Sequence, residues 1–338
     1  MLKDAFRLYS KLSIYKIWNY GLISFSFYLS KKLNKNIHWG LPFAFSVEPT
    51  TSCNLRCPEC PSGLRSFTRD TGSIEIEKFQ HVIDEYSKSA FWLTLYFQGE
   101  PYLNPNFIDL IRYASSKKLY ISTSTNAHYL TPKKAEETVQ SGLDRLIVSI
   151  DGTTQETYEQ YRIGGKLEKV KEGLKNIVEA KKRLKSSTPY IIIQFLVVGP
   201  NEHQIEEIKQ LGKDYEADEV KLKTAQIYDY KNGHSLIPKN ETYSRYVKQK
   251  NGTYKLKYEL QDECWRMWHS NVVTWDGDMV PCCFDKDAKY VMGNLHQKSL
   301  AEIWSNKKYQ SFRNQLSADR SKIDICQNCT EGAKIYAD

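Results

Sequence analysis

Two patterns of apolar residues alternate along the middle of the chain, from Phe43 to Lys223. Short apolar runs rich in β-branched and aromatic residues are typical of strands, and segments in which apolar residues recur every three or four positions are typical of amphipathic helices. The runs predict strands at 43–49, 91–97, 119–124, 143–150, 190–198 and 218–224. The intervening segments predict helices, among them 76–87, 107–116, 132–141 and 167–184.

Strands that alternate with helices in this way predict a parallel sheet and an α/β fold. Six such units favour a partial (βα)6 TIM-like barrel. In a barrel of this kind the functional residues lie in loops at the C-terminal ends of the strands.

The N-terminal segment, residues 1–42, has a different character. Its stretch 14–29 is rich in Ile, Trp, Tyr, Phe and Leu but is interrupted by Lys16, Asn19 and Gly21. It is too short and too interrupted to span a bilayer, and Asp4 together with the missing cleavage site argues against a secretory signal. We expect a helical extension packed on the barrel, and a helix lying on a membrane surface is the alternative.

The C-terminal part predicts a small separate module. Residues 225–262 contain turn signals and read as a linker. Short strands at 272–275 and 278–281 are joined by Asp276-Gly277, a strong signal for a tight hairpin, and a helix is predicted at 300–316. We therefore divide the chain into an extension (1–42), a barrel (43–224), a linker (225–262) and a β-hairpin/helix domain (263–338).

Charge and cysteine usage limit the functional classes. The formal charge of +8, from 48 Lys and Arg against 40 Asp and Glu, comes from lysines scattered over helix faces, so no nucleic-acid partner is expected. The eight cysteines form two groups, with none between Cys60 and Cys264. Clustered thiols in a long chain indicate metal ligands in a reducing cytoplasm and no disulfide framework.

Cys53, Cys57 and Cys60 form the first group, directly after the first predicted strand. A short loop with this spacing can place three thiolates on three irons of a 4Fe-4S cluster, which leaves the fourth iron open to a substrate or cofactor. The alternatives are a zinc knuckle or buried thiols. A zinc site needs paired ligands and a fourth protein ligand nearby, and no such ligand lies close to Cys60 in sequence.

In this spacing the run Cys-Asn-Leu-Arg-Cys-Pro-Glu-Cys resembles the radical S-adenosylmethionine (radical SAM) superfamily. The resemblance implies that the open iron binds S-adenosylmethionine and that reductive cleavage yields a 5′-deoxyadenosyl radical, which abstracts hydrogen from a substrate. Glu59 stands where the family often has an aromatic residue near adenine. It also implies a set of cofactor-binding residues: Gln98, Gly99, Glu100, Pro101, Thr125, Asn126, Ser149 and Arg162.

These residues match the family at three strand ends. Gln98 to Pro101 stands in the place of a Gly-Gly-Glu-Pro motif, where Glu100 would meet the methionine ammonium. Thr125 and Asn126 would reach the ribose or methionyl part. Ser149 would hydrogen-bond the cofactor, and Arg162 would pair with its carboxylate. The alternatives are ordinary turns and an exposed helix arginine.

The second cysteine group resembles the SPASM/twitch auxiliary domain, because Gly277 and Cys282 follow Cys264 and the pair Cys326 and Cys329 comes later. The resemblance implies a second 4Fe-4S cluster held by Cys264, Cys282, Cys326 and Cys329, with electron transfer as its function. Structural zinc is the alternative, and Cys283 could replace Cys282. Since the sequence ends nine residues past Cys329, we expect a single auxiliary cluster.

The functional expectation is a cytoplasmic radical SAM enzyme that oxidises a small hydroxylated metabolite, with the auxiliary cluster as electron relay. A maturase that modifies a peptide or protein is the alternative. An acidic electron donor such as flavodoxin or ferredoxin would suit the basic surface, and peripheral membrane contact would involve residues 1–42. The sequence assigns no catalytic acid or base.

Overall fold

The structure is a computed structural model that describes residues 2–331, with side chains from Asp4 onward. Met1 and residues 332–338 of the predicted C-terminal domain lie outside the described residues.

Twelve α-helices and eleven strands are described. The strands are β1 Ala44–Val47, β2 Trp92–Thr94, β3 Tyr120–Thr125, β4 Arg145–Ser149, β5 Tyr190–Val197, β6 Glu219–Thr224, β7 Tyr246–Lys248, β8 Tyr254–Leu256, β9 Ser270–Val273, β10 Asp278–Val280 and β11 Gly293–Asn294. The helices are α1 Leu2–Ser10, α2 Ile14–Leu33, α3 Pro61–Leu64, α4 Ile76–Tyr86, α5 Phe107–Ser116, α6 Pro132–Gln140, α7 Gln155–Tyr161, α8 Leu167–Arg183, α9 Ile205–Asp214, α10 Arg266–His269, α11 Leu300–Trp304 and α12 Lys307–Ala318.

One nine-stranded sheet organises the molecule, in the order β11-β10-β9-β1-β2-β3-β4-β5-β6. β1 to β6 are parallel, β9 joins β1 in parallel, and β10 and β11 add antiparallel. The predicted α/β fold with a six-stranded partial barrel and a C-terminal hairpin is confirmed. Over the described strands the sheet has two edges, β11 and β6, and does not close.

The main core lies between the sheet and the helices that surround it. Alternate residues of β1, Phe45 and Val47, are buried on the helix side, as the two-residue period of a strand requires. The Phe45 ring stacks on Tyr86 of α4 with centroids 3.9 Å apart. The Tyr86 hydroxyl then donates to the Asn271 side chain of β9 over 2.7 Å, so this helix also fixes the C-terminal hairpin.

The N-terminal extension covers the end of the barrel where the strands begin. The Asn19 amide of α2 donates to the Leu41 carbonyl over 2.7 Å and faces the Ser89 carbonyl, and Lys16 donates to the Lys118 carbonyl over 3.2 Å. Asp4 of α1 bonds both Tyr120 and Arg145, at the start of β3 and β4. The expected helix is therefore present, but the stripe that it buries is mostly polar.

Two parts of the C-terminal half differ from expectation. The prediction of a single helix at 300–316 is wrong, because the helix is interrupted between α11 and α12. Asn306 begins α12 as its N-cap, with its side chain accepting from the Tyr309 N–H over 2.9 Å, and its amide donates to the Met292 carbonyl. The segment 225–262 also contains the two-stranded sheet β7–β8.

We predict that Tyr86→Phe lowers the free energy of unfolding by about 1–3 kcal/mol, because it leaves the buried Asn271 oxygen without its donor. Urea denaturation under anaerobic conditions measures this change. Tyr113→Phe is the matched control, since its hydroxyl bonds Asp84 at the surface and its loss should change stability by less than about 0.5 kcal/mol. Equal effects of the two substitutions would show that the Tyr86 bond does not hold the hairpin to the barrel.

Candidate active site

The first cysteine group lies on the loop that follows β1, above a small separate core. Leu55 and Cys57 are buried there against Tyr161, Val198 and Ile227, and Cys53 and Cys60 pack at its margin. This floor holds the loop at the C-terminal ends of the strands, where the sequence predicted the site. All three thiols are free.

The three thiols lie within electrostatic reach of one another. Burial raises the pKa of Cys53 to about 12, with smaller contributions from Glu100, Cys57 and Cys60. Burial also raises the pKa of Cys57, and the Arg162 guanidinium, 3.8 Å from its sulfur, opposes that shift. Thiols of this kind keep their protons until a metal displaces them. Three thiols on one loop beside a buried cation suit the three-ligand pattern of a 4Fe-4S cluster with one iron left open, and their role as its ligands stays a prediction.

The loop from Gln98 to Pro101 packs directly against the cysteine loop. Gly99 has a φ of +75°, and a Cβ there would lie 2.3 Å from the Thr50 carbonyl oxygen, so only glycine fits. Its N–H donates to Ser62 Oγ over 2.9 Å, and the Gln98 side-chain oxygen lies 3.9 Å from Cys60 Sγ. Pro101 begins the short turn that follows.

Glu100 is the centre of a buried hydrogen-bond network. Its carboxylate, 2% exposed, accepts from Thr125 Oγ1 and from the Asn126 N–H, both over 2.7 Å. Burial raises the pKa of Glu100, and these bonds oppose the shift. The Asn126 amide in turn donates to Asn54 in the cysteine loop over 2.8 Å. Glu100, Thr125 and Asn126 thus form one unit, and the predicted contact of Glu100 with a ligand ammonium stays a prediction.

Arg162 is held by a residue that the sequence analysis did not assign to the site. Its Nε donates to Asp151, which is 1% exposed and accepts the Leu196 N–H with its other oxygen. This pairing aims the guanidinium at Cys57. Ser149 Oγ faces Ser124 Oγ at 3.4 Å. Asp151 lies two residues after Ser149, and this closeness to a predicted site residue was the only signal that the sequence offered.

Glu59, which replaces the aromatic residue expected before the third cysteine, connects the cysteine loop to the segment 225–262. Its carboxylate accepts from the Tyr228 N–H over 2.9 Å. Burial raises the pKa of Glu59, and this bond opposes the shift.

The second cysteine group forms a buried cluster around Arg320. Burial raises the pKa of Cys329 to about 12, and Cys264 and Cys326 contribute as neighbours. The pKa of Cys282 is raised far above its usual range by burial, with Cys283, Cys264 and Cys329 nearby. Four thiols are the ligand number of a fully ligated iron-sulfur cluster, and zinc accepts the same ligand type, so the assignment of Cys264, Cys282, Cys326 and Cys329 stays a prediction.

Arg320 is the residue that the sequence analysis missed in this group. It is 3% exposed, donates to the carbonyls of Gln261, Glu263 and Glu331, and places Nη2 3.2 Å from Cys329 Sγ. One arginine among the 48 Lys and Arg of the chain carries no sequence signal of such a role.

A cavity of about 460 Å³ is lined by residues of the barrel and of the C-terminal domain. Tyr96 and Phe97, directly before Gln98, line one side, and Arg266 and Cys283, each close in sequence to a cysteine of the second group, line the other. Cys283 therefore faces the cavity. The remaining wall comes from the sheet and its borders: Phe43, Ala44, Phe45, Ser46, Phe91, Trp92, Thr94, His269 and Ser270.

Two ionisable groups give the cavity its character. Burial lowers the pKa of His269 to about 4, so its imidazole is neutral near pH 7, and its Nδ1 bonds the Trp265 carbonyl at 2.8 Å. Arg266 bonds Glu331 over 3.2 Å, but its buried Nε has no hydrogen-bond partner among the described residues. The cavity thus presents one cation and several neutral polar groups.

Comparison with known families matches both halves of this arrangement. The family model of the radical SAM superfamily matches residues 47–212, and the SPASM iron-sulfur cluster-binding domain matches residues 264–330. The two matches enclose the first and the second cysteine group respectively.

Three relatives span much of the chain. It is 29% identical over 300 residues to the tungsten-containing aldehyde ferredoxin oxidoreductase cofactor-modifying protein of Pyrococcus furiosus, covering 79% of this chain and 82% of that one. It is 24% identical over 291 residues to the S-adenosyl-L-methionine-dependent 2-deoxy-scyllo-inosamine dehydrogenase of Niallia circulans, covering 84% and 90%. It is 24% identical over 212 residues to the PqqA peptide cyclase of Bradyrhizobium diazoefficiens, covering 62% and 54%.

Solved structures show the same fold. BtrN in complex with AdoMet and 2-DOIA superposes with a TM-score of 0.52 and 20% identity, covering 88% of this chain and 98% of that one. SuiB of Streptococcus suis bound to S-adenosylmethionine gives a TM-score of 0.64 at 13% identity, covering 85% and 70%.

We predict that Gly99→Ala prevents assembly of the first cluster and removes about half the iron of the reconstituted protein, because the new Cβ would overlap the Thr50 carbonyl. Gly252→Ala is the matched control, since Gly252 has a similar φ of +87° with nothing within 4 Å. The control should keep its iron. Its free energy of unfolding should fall by only about 1–2 kcal/mol, because alanine at this positive φ strains the backbone. Iron analysis and thermal unfolding measure the two effects, and full iron in Gly99→Ala would contradict the steric argument.

Proposed function

This chain belongs to the radical SAM superfamily and carries a SPASM domain, and from that premise we propose that it oxidises a small hydroxylated molecule held in the barrel cavity. It is an enzyme whose cofactors are a 4Fe-4S cluster, S-adenosylmethionine and the auxiliary iron-sulfur centre of the SPASM domain. Bound together, the first two supply a radical able to remove a hydrogen atom from an unactivated C–H bond.

The observation that carries the proposal is the position of the cavity. Its wall at Tyr96 and Phe97 continues into the Gln98–Pro101 loop, and its wall at Arg266 and Cys283 adjoins the second cysteine group. A molecule bound there would contact residues that neighbour both cofactor sites in sequence, which supports the proposal. The residues of this chain then have three tasks: to bind the cofactor, to hold the substrate and to exclude water.

Cofactor binding falls to the residues at the strand ends. We assign it to Gln98, Gly99, Glu100, Pro101, Thr125, Asn126, Ser149 and Arg162. Arg162, which Asp151 holds beside Cys57, is suited to a carboxylate that lies next to the first cluster. Beyond its bonds to Thr125, Asn126 and the Tyr102 N–H, the Glu100 carboxylate keeps remaining acceptor capacity and is suited to an ammonium group.

The size and lining of the cavity favour a small molecule. A volume of about 460 Å³ is typical of metabolite pockets, and aromatic walls with a few polar groups fix orientation in such sites. Ser46, Thr94 and Tyr96 offer hydroxyls to a hydroxylated ligand. A relative of this chain is a 2-deoxy-scyllo-inosamine dehydrogenase, whose name describes a small-molecule oxidation.

Oxidation also explains the second cysteine group. Once a hydrogen atom is removed from a substrate carbon, completing the oxidation releases one proton and one electron. A cluster held by Cys264, Cys282, Cys326 and Cys329 would have no open iron and would suit the electron. An external acidic protein such as flavodoxin or ferredoxin would exchange electrons with the enzyme, in keeping with the net charge of +8.

Modification of a peptide or protein is the second candidate function. It is favoured by the similarity to the PqqA peptide cyclase, although that match covers 62% of this chain. A peptide would need to insert one side chain into the cavity from the strand ends.

Substrate-stimulated cleavage of S-adenosylmethionine distinguishes the two functions. Anaerobic enzyme with reductant is incubated with the dialysable and the retained fractions of an extract from cells lacking this chain, and 5′-deoxyadenosine is measured. We expect the dialysable fraction to stimulate cleavage and to yield a product that has lost a hydrogen pair. Stimulation by the retained fraction alone, abolished by protease, would establish the peptide function instead.

We predict that replacing Cys53, Cys57 and Cys60 together by Ala removes about half the iron and abolishes 5′-deoxyadenosine formation. The reason is that these three thiols are the only ligands that the loop supplies to the first cluster. Cleavage that persists in the triple variant would refute their assignment.

We predict that Cys282→Ala loses the second cluster and stops product formation while reductive cofactor cleavage stays detectable. Cys283→Ala is the matched control and should keep the iron of the wild type, because Cys283 lies at the cavity. Elemental analysis also tests the metal, since about eight irons per chain are expected for two 4Fe-4S clusters. Four irons with one zinc would end the electron-relay hypothesis.

A further inference from the structure

The N-terminal helix α2 buries mostly polar residues and exposes apolar ones. The buried residues of α2 are Lys16, Asn19, Ile23, Ser26 and Ser30, at spacings of three and four, and four of these five are polar. Beside them, the partly buried Phe27 packs on Trp265 and Trp268. On the opposite side of the helix, Ile14, Trp18, Phe25 and Tyr28 point away from the protein at spacings of three, four and seven. A helix that packs only on its own chain has the reverse distribution.

Large apolar residues left in solvent are concentrated in this extension. Fourteen large apolar residues are exposed in the described part of the chain, and eleven of them fall between residues 6 and 39. We call these eleven the exposed apolar face: Phe6, Tyr9, Ile14, Tyr15, Ile17, Trp18, Tyr20, Phe25, Tyr28, Leu33 and Trp39. Apolar surface concentrated in this way marks a binding site for a membrane or another macromolecule.

Positive charge accompanies this face. Residues 1–42 contain seven Lys and Arg against one acidic residue, Asp4, a formal charge of +6 out of the +8 of the chain. Asp4 is buried and bonded to Tyr120 and Arg145. Lys11 and Lys31 pair with Asp144 and Glu263, and Lys16 is buried, so among the described residues Lys32 and Lys35 carry the unpaired lysine charge at the end of α2.

The barrel adds further lysines around the same end. Asn19 faces the carbonyl of Ser89, Lys16 bonds the carbonyl of Lys118, and Arg7 bonds Ser187, so the extension contacts three loops that precede strands. Those loops carry exposed lysines at 88, 118 and 185, and Lys32 and Lys35 follow at the end of α2. None of these five forms an ion pair with a described carboxylate.

From this combination we propose that the exposed apolar face binds the surface of an anionic lipid bilayer. Tyr and Trp prefer the interface between headgroups and acyl chains, and a rim of unpaired lysines is attracted to anionic headgroups. No helix in residues 2–331 is long and apolar enough to cross a bilayer, so α1 and α2 would lie in the plane of the interface. A second copy of the chain is disfavoured as occupant, because it would bring two sets of unpaired lysines together.

The proposal fixes an orientation. α1 and α2 cover the end of the barrel where strands begin, and the loops with Cys53 and Gly99 lie at the opposite end. The cofactor loops would therefore face away from the lipid and remain open to an electron donor in solution.

Flotation of the reconstituted protein with vesicles tests the proposal. We expect binding to vesicles of phosphatidylcholine mixed with phosphatidylglycerol, little binding to phosphatidylcholine alone, and weaker binding as salt is raised. Combined Ile14→Ser, Trp18→Ser and Tyr28→Ser should lower the partition coefficient about tenfold or more. The matched control changes the three exposed apolar residues outside the face, Leu64, Ile163 and Tyr228, to Ser and should bind like the wild type.

Charge reversal provides a second arm that leaves the helices intact. Lys88→Glu, Lys118→Glu and Lys185→Glu together should reduce binding about tenfold or more, whereas the same change at Lys169, Lys248 and Lys250, away from the extension, should not. Absence of binding to anionic vesicles, or equal binding to neutral ones, would overturn the proposal. The proposal would also be overturned if light scattering showed a dimer of the wild type and a monomer of the Ser variant, since the face would then bind a second copy of the chain.

Discussion

The parallel pairing of β9 with β1 is the interaction on which the rest of the structure depends. It aligns Ala44 with Ser270 and Val47 with Val273, so the C-terminal hairpin continues the barrel sheet. Buried Glu48, at the end of β1, strengthens the junction by accepting a bidentate pair from Arg69 and the Trp275 N–H. Because the hairpin is part of the sheet, Arg266, His269 and Cys283 line the same cavity as Ser46 and Thr94.

The first cofactor site shows how buried polar groups can organise loops. Glu100 joins Thr125 and Asn126, and Asn126 reaches Asn54, so three loops that are distant in sequence share one hydrogen-bond network. Breaking one member leaves a buried carboxylate or amide without a partner, which costs more than the bond itself contributes. The network therefore ties the cysteine loop to the segments that follow β2 and β3.

The N-terminal extension has the opposite arrangement of polarity. Its polar stripe satisfies the backbone carbonyls that precede the strands, at Leu41, Ser89 and Lys118. That requirement turns the aromatic side chains outward, so one end of the barrel is apolar and basic while the other carries the chemistry. Binding at one end and catalysis at the other would then not compete for the same surface.

Sequence and structure contributed different parts of this picture. Local periodicity and the Asp276-Gly277 turn determined the alternation of strands and helices and the hairpin, because these depend on residues close in the chain. The spacing of Cys53, Cys57 and Cys60 likewise predicted the first cluster, since all three cysteines lie on one loop.

What only the tertiary structure decided depends on residues far apart in sequence. The pairing of Asp151 with Arg162, the bonds of Arg320 and the cavity position of Cys283 have no local pattern to reveal them. The break before α12 was missed although the apolar spacing of three and four is interrupted between Trp304 and Tyr309, across the N-cap Asn306. The sequence also did not show which side of α2 packs on the barrel, because the helix is apolar on most sides. In the structure the polar side packs, since its side chains bond the backbone carbonyls where the strands begin.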